Sequence, residues 1–247
     1  MPIATGEDPR KPARLVPSRR SARKAQYRRL LWGLPTRLST ELFAGAELVQ
    51  LPAGQVLFRA GESGDGCYRI EDGLLKLTMV SNSGIERILA FLGRKAILGE
   101  LAIIDGLPRS MSAVAVRDAT LSFVSLAAFA AFSEKHPELC KSLLRLLARR
   151  VRDRDKIVAA TSFFSLKGRI AQTLLELADQ FGREVGPERI VISQKIRQTD
   201  LAAMAGMARE NVTRILNEWQ RRKLVSRLSG YYCLENKSLL EHQVKNR

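Results

Sequence analysis

Apolar and polar positions change their period twice along the 247-residue chain. From about 27 to 133, short runs alternate apolar with polar residues: 55–58, 67–70, 74–80, 86–91, 113–116 and 120–125. Glycines punctuate them, among them Gly54, Gly61, Gly73, Gly84, Gly93, Gly99 and Gly106. A period of two with turn residues between the runs predicts antiparallel strands closing into a sandwich or barrel. The stretch 82–84 suits a hairpin turn.

Pro137 then starts a different texture, as proline suits the first position of a helix. From 137 to about 161 the period lengthens, and Leu144, Leu147, Val151, Arg154, Val158 and Thr161 take heptad a and d positions. One face of the helix packs on its own β-domain, and the seam predicts a two-stranded coiled coil between two copies. Arg154 is a cation in that seam and needs a partner. Asp155 is adjacent in sequence and points elsewhere on the helix.

The last third has a third pattern. Ser165 caps a helix through Ile170, Leu174, Leu175 and Leu177. The chain breaks over 182–187, and 190–192 is a short strand. Two short helices follow, joined by Ala205-Gly206-Met207, and the second runs from about 208 to 222. Short helices around a glycine turn form a helix-turn-helix. The stretch 224–234, turning at Ser229-Gly230, makes a β-hairpin wing. The fold class is α+β in four parts: an arm over 1–26, a β-domain over 27–136, a helix and hinge over 137–163, and a winged helix over 164–247.

Charge adds a partner to this picture. Lys+Arg number 41 against 25 Asp+Glu, a formal net charge of +16 that points to nucleic acid or an anionic membrane. The arm carries Arg10, Lys11, Arg14, Arg19, Arg20, Arg23 and Lys24 against Glu7 and Asp8. It reads as a disordered solvated tail, with extra non-specific DNA affinity as the sharper alternative. It lacks the apolar face that membrane-surface binding needs. No apolar run approaches the roughly 18 residues that span a bilayer, and no apolar leader opens the chain, which predicts a cytoplasmic protein without a membrane partner.

The chemistry of catalysis is thinly supplied. Cys67, Cys140 and Cys233 are scattered, which suits neither a disulfide framework nor a zinc site. Cys67 and Cys233 read as small buried hydrophobes in strands. The two histidines are His136, placed to cap a helix, and His242. No catalytic set, no metal site and no phosphate loop of the GxxxxGK[ST] type can be assembled, so the chain does not read as an enzyme.

One stretch does carry ligand chemistry: Leu98-Gly99-Glu100-Leu101-Ala102-Ile103-Ile104-Asp105-Gly106-Leu107-Pro108-Arg109-Ser110. Gly99 permits positive φ or a close backbone approach. The N–H groups opening a helical turn after it lack internal partners. Arg109 offers a planar fork for a phosphate, with the Ser110 hydroxyl beside it. Glu100 suits a hydroxyl such as a ribose 2′-OH. One acid for a sugar and one arginine for a phosphate suggest a nucleotide; a surface Glu100–Arg109 ion pair is the plainer alternative. On the last helix, Arg209, Glu210 and Arg214 share one face near the N-terminus, opposite Val212, Ile215, Leu216 and Trp219. Arginine can grip guanine O6 and N7 and glutamate can accept from cytosine N4; a solvated charged face is the alternative.

The Gly-Glu-Leu and Pro-Arg-Ser of 98–110 resemble the phosphate-binding cassette of cyclic-nucleotide-binding domains, and 51–61 resembles the opening strands of their β-roll. The stretches 168–175 and 208–216 are similar to the catabolite activator branch of the Crp/Fnr regulators, and the likeness runs from about Tyr27 to the C-terminus. The resemblance implies a β-roll, a dimerisation helix and a winged helix-turn-helix in a homodimer. It implies a cyclic mononucleotide effector, cAMP or cGMP, held by Gly99, Glu100, Leu101, Arg109, Ser110 and Arg150, with Glu100 on the ribose and Arg109 and Ser110 on the phosphate. It implies double-stranded DNA read by Arg209, Glu210 and Arg214 at a TGTGA-like palindrome, and RNA polymerase as a further partner.

The chain departs from that family at two places. Ala208 stands where a Ser or Thr usually caps the recognition helix. Arg154-Asp155 stands where the cAMP-binding members carry a Thr-Ser pair that meets adenine. Asp155 could accept from guanine N1–H and N2–H₂, and Arg154 could stack on a purine or donate to it, so an altered purine preference is expected. The nucleotide would bridge the roll and the long helix and set the hinge at 163–165. A ligand-independent or cyclic di-GMP-responsive regulator of the same family is the alternative. No cysteine cluster for an iron–sulfur group is present in the arm.

Overall fold

The computed structural model describes residues 34–245, apart from the side chains at 156, 160, 161 and 245. The basic arm lies outside the described residues, as does the side chain of Thr161.

Helix α1 (Thr36–Leu42) leads into strands β1 (Glu47–Leu51), β2 (Val56–Phe58), β3 (Gly66–Val80), β4 (Glu86–Leu92) and β5 (Ile97–Leu98). The short helix α2 (Glu100–Asp105), strand β6 (Ser112–Ser125) and helix α3 (Leu126–Lys135) complete the first unit. These strands form one six-stranded antiparallel sheet in the order β1-β6-β3-β4, with β2 added on β6 and β5 on β3. The long β3·β6 ladder runs from Gly66 opposite Ser125 to Thr78 opposite Ser112. Inside it, Ile70, Leu75, Leu77, Leu92, Leu98, Ala113 and Leu121 share a buried core.

The sequence pattern divides both long strands, and the structure joins them. The runs 67–70 and 74–80 are one strand, β3, and 113–116 and 120–125 are one strand, β6. Gly73 marks the irregular register between them. Its φ is +107°, and a side chain there would strike Ala119 on β6. The hairpin over 82–84 is present: Ser81 N–H bonds Ile85 O, and Gly84, at φ +80°, donates to Ser81 O.

Helix α4 (Glu138–Phe163) is the long helix expected after Pro137. His136 stacks on Phe132 and faces the carboxylates of Glu41 and Glu138, so it closes the preceding turn. Leu144, Val151 and Val158, seven residues apart, are 62%, 58% and 63% exposed and form an apolar stripe along α4. Leu146 is buried and Leu147 is half-buried.

The last unit holds α5 (Leu166–Phe181), β7 (Gly182–Glu184), β8 (Ile190–Ile192), α6 (Gln198–Ala205), α7 (Arg209–Arg221), β9 (Val225–Leu228), β10 (Tyr231–Leu234) and α8 (Lys237–Lys245). Its sheet runs β7-β8-β10-β9. Ser165 caps α5 through Gly168 N–H, as expected. The supposed break after 181 is a strand, because β7 pairs with β8. Ser229 and Gly230, both at positive φ, form the wing turn. Trp219 and Tyr232 are fully buried at the centre. This core continues across the outer face of β4: Leu74, Ile88 and Phe91 pack with Ile170, Leu174, Leu201 and Ala205.

Candidate functional site

Gly99 sits between β5 and α2 with φ +84°, a left-handed conformation that favours glycine. Space matters equally, because a side chain there would lie 2.4 Å from Arg109 Nη1. The guanidinium of Arg109 is the protein group that approaches Gly99. Arg109 is 4% exposed. Its Nη1 donates to Gly99 O at 2.6 Å, and its Nη2 donates to Gly66 O at 2.9 Å and to Asp65 Oδ1 at 2.8 Å. The cation also lies 4.5 Å over the ring of Phe58. Its Nε–H is buried without a partner.

Glu100, the first residue of α2, is 1% exposed. Its partner is Arg150 on α4, which donates Nη1 to Glu100 Oε1 and Nη2 to Ile97 O, the latter at 2.9 Å. The Glu100–Arg109 surface pair weighed from sequence is therefore absent: both residues are buried, and each has another partner. Glu100 Oε2 is buried and carries no hydrogen bond. A buried carboxylate oxygen and a buried guanidinium N–H, both without partners, are costly features that need an occupant to satisfy them.

Glu100 and Arg109 both line a cavity of about 30 Å³, together with Gly99, Leu101, Ser110, Met111 and Arg150. Leu77, Leu101, Met111 and Arg150 also line a second cavity of about 480 Å³, between β3, β4 and α4. Its other walls include Met79, Leu89, Ala90, Leu147, Val151, Ile157 and Val158. That volume falls in the roughly 300–1,000 Å³ range of small-molecule sites, which pair an apolar lining with a few polar groups. This narrow neck, with Glu100, Arg109 and Ser110 among its walls, adjoins the apolar chamber and suits a ligand with an anionic, hydroxylated end and a flat aromatic end.

The two residues expected at the purine edge are placed differently at the chamber. Arg154 lines it, and its Nη2 lies 4.0 Å from Met111 Sδ. Asp155 does not line it and is exposed; Asp153 lines it instead. The reason is helix geometry. At about 100° per residue, Arg150, Asp153, Arg154 and Ile157 share the face turned to the sheet, and Asp155 lies about 100° beyond Arg154. Beneath the neck, burial pushes the Cys67 thiol up to about 12, with Glu100 adding to the shift and Arg109 opposing it. That thiol is inert at neutral pH. Among the described residues, no His, Cys, Asp or Glu group could hold a metal ion.

The second candidate surface is α7. Val212, Ile215, Leu216 and Trp219 are buried, and Arg209, Glu210 and Arg214 are exposed together near its N-terminus. Arg214 Nη2 contacts Asn211 Oδ1 at 3.3 Å. Ala208 precedes the helix without a side-chain cap, as the sequence implied. The turn from α6 is set by Gly206 at φ +64°, and Met207 N–H closes back on Ala202 O. Thr213 Oγ1 donates to Gln198 Oε1 at 2.9 Å and fixes α7 against α6.

Comparison with known proteins bears on both surfaces. A cyclic nucleotide-binding domain model matches residues 48–136, and a Crp-like helix-turn-helix domain model matches 168–242. The CRP-like cAMP-activated global transcriptional regulator of Mycobacterium tuberculosis is 32% identical over 192 residues, 78% of this chain and 82% of that protein. The cyclic AMP receptor protein of Thermus thermophilus is 34% identical over 190 residues, 77% of this chain and 84% of that protein. The crystal structure of a CRP/FNR-family transcriptional regulator, also from Thermus thermophilus, superposes with a TM-score of 0.66 at 27% identity, over 81% of this chain and 100% of that one. Both domains and their order agree with these relatives, and the chain belongs to the Crp/Fnr family of DNA-binding transcription regulators.

Proposed function

We propose that this protein is a homodimeric regulator whose DNA affinity is set by a cyclic purine mononucleotide, cAMP or cGMP. The observation that carries the reading is the pair of unpartnered buried atoms, Glu100 Oε2 and Arg109 Nε, at the neck of the chamber. A ribose 2′-OH donates to the first, and a cyclic phosphate accepts from the second. Ser110 adds a hydroxyl at the phosphate end. The purine lies in the apolar chamber, with Arg154 and Asp153 at its edge. Asp155 reaches a nucleotide only from the α4 of a second copy.

The exposed stripe of Leu144, Val151 and Val158 is the surface for that second copy. Two α7 helices about 34 Å apart then enter successive major grooves of a TGTGA-like palindrome, with Arg209, Glu210 and Arg214 on base edges. RNA polymerase is the expected downstream partner.

A mobility-shift titration on such a palindrome, with and without cAMP or cGMP, tests the reading. Tighter binding with either nucleotide supports it, and equal binding in all conditions refutes it. One observation favours a second reading. Glu100 already pairs with Arg150 through Oε1, a structural role that the cassette carboxylate would keep in a ligand-independent member of the family. Equal DNA binding with no nucleotide uptake selects that alternative.

A further inference from the structure

The wing carries a side chain that the surface of α7 does not use. Val225, Tyr232 and Leu234 root the β9–β10 hairpin in the same buried core as Val212, Leu216 and Trp219 of α7. Beyond that root the hairpin leaves the core. Leu228 pairs with Tyr231 across the strands, and only Ser229 and Gly230 join them. Both turn residues have positive φ, +51° and +90°, as in the tight two-residue turn that follows the twist of its strands. Leu228 therefore stands about 10 Å along β9 from Val225, at roughly 3.3 Å per residue. It is 80% exposed, the highest value for a large apolar side chain among the described residues.

Two cations flank this tip, each held over an aromatic ring. Residues opposite one another on antiparallel strands share a face, so Tyr231 lies beside Leu228. Lys195, in the loop before α6, places Nζ 5.3 Å over the Tyr231 ring. Its stem passes Gly230, 3.6 Å from where a side chain there would begin. Arg227 turns to the opposite face, with Cζ 5.2 Å over the Tyr232 ring. Lys195 and Arg227 are both exposed. An apolar tip between two cations, on a hairpin that shares its core with α7, matches a polyanion better than a neutral protein surface. The minor groove is about 6 Å wide. A ribbon of two strands roughly 4.8 Å apart cannot enter it, and a single side chain can. Proteins that bind there commonly lead with an apolar wedge accompanied by basic residues.

We propose that the wing is a second reading head, in which Leu228 enters the minor groove beside each half-site while Lys195 and Arg227 meet the phosphates that wall it. Leucine offers no acceptor to the N2 amino group of guanine, the one group that marks G·C in that groove. Burying that donor unpaired is costly. The wing therefore selects A·T over G·C at a position that α7 does not read. This inference rests on α7 lying in the major groove.

The test uses the full-length protein and a duplex that wild type selects from random sequence, with cAMP or cGMP present wherever either raises binding. A·T, inosine·C and G·C pairs are placed in turn at each position bordering the half-sites, on both sides. Inosine lacks the N2 amino group, so its pair keeps the major groove of G·C and shows a minor groove like that of A·T. At one position per half-site, wild type should bind the A·T and inosine·C duplexes alike and the G·C duplex about tenfold more weakly, the cost of one unpaired donor. Leu228→Ala should bind all three alike. Lys195→Ala should keep the discrimination, weaken all three equally, and flatten the slope of log affinity against log salt by about 0.9 for each wing. A wild type indifferent to the three pairs, a Leu228→Ala that still discriminates, or a Lys195→Ala with an unchanged slope would overturn the proposal. Indifference at these positions with a selected core sequence would remove the wing alone. Selection that enriches no duplex would remove the major-groove reading with it.

Discussion

Arg150, halfway along α4, donates to the carboxylate of Glu100, the first residue of α2. This bond ties the long helix to the cassette through a buried carboxylate and a half-buried guanidinium. Breaking such a pair by removing one partner costs about 3–5 kcal/mol, because the other charge is left buried alone. A ligand hydroxyl offered to Glu100 Oε2 adds to the pair without breaking it. Glu100→Gln keeps the side-chain shape and an amide oxygen for Arg150, so it should fold with lowered stability, and it should bind the nucleotide about ten- to a hundredfold more weakly, since a hydrogen bond to a charged group is worth roughly 1.5–3 kcal/mol. The 2′-deoxy nucleotide separates the roles. Wild type should discriminate against it and Glu100→Gln should not, as read by calorimetry.

Arg109 has a structural share as well. It closes on Gly99 O, Gly66 O and Asp65, so its loss leaves carbonyls buried without donors. Arg109→Ala should lower stability by about 1–3 kcal/mol per orphaned group and abolish nucleotide uptake even where the variant is folded. Thermal unfolding beside calorimetry at low temperature checks both. A folded Arg109→Ala that keeps wild-type nucleotide affinity would remove Arg109 from the phosphate site.

Leu144 is 62% exposed and does not line the chamber. Leu144→Asp should leave the protomer folded and weaken self-association by about 1.5–3 kcal/mol per protomer, the value of one buried leucine. Sedimentation equilibrium measures the shift. An unchanged oligomeric state would place the interface elsewhere.

Arg209 separates base reading from phosphate contact. Arg209→Ala should relax preference at one position of each half-site, a loss of about 1–3 kcal/mol of discrimination. Binding to a panel of single-base operator variants reports it. A loss of affinity equal across the panel would assign Arg209 to the backbone.

Much of this is legible along the chain because its signals are local. Gly99, Glu100 and Arg109 lie within eleven residues, and the structure brings them to one neck. The period switch at Pro137 and the cap at Ser165 likewise match helices α4 and α5. Other features escape the apolar pattern despite a local signal. Ser125 caps α3 and Asn236 Oδ1 accepts from Leu239 N–H at the start of α8, yet the pattern predicts neither helix. Gly73 reads as a strand end because a glycine is ambiguous between a turn and a bulge, and the pairing of β3 with β6 decides it. Asp153 has no sequence signal of its own, and it borders the chamber because it shares a helix face with Arg150 and Arg154. The shared core of Phe91 with α5 and α6 has no local signal at all, since it joins residues about ninety positions apart.

The most direct measurement is isothermal titration of the wild-type protein with cAMP, cGMP and cyclic di-GMP. Saturable uptake of cAMP or cGMP, one per protomer, is the predicted result. Heat from neither mononucleotide would contradict the account.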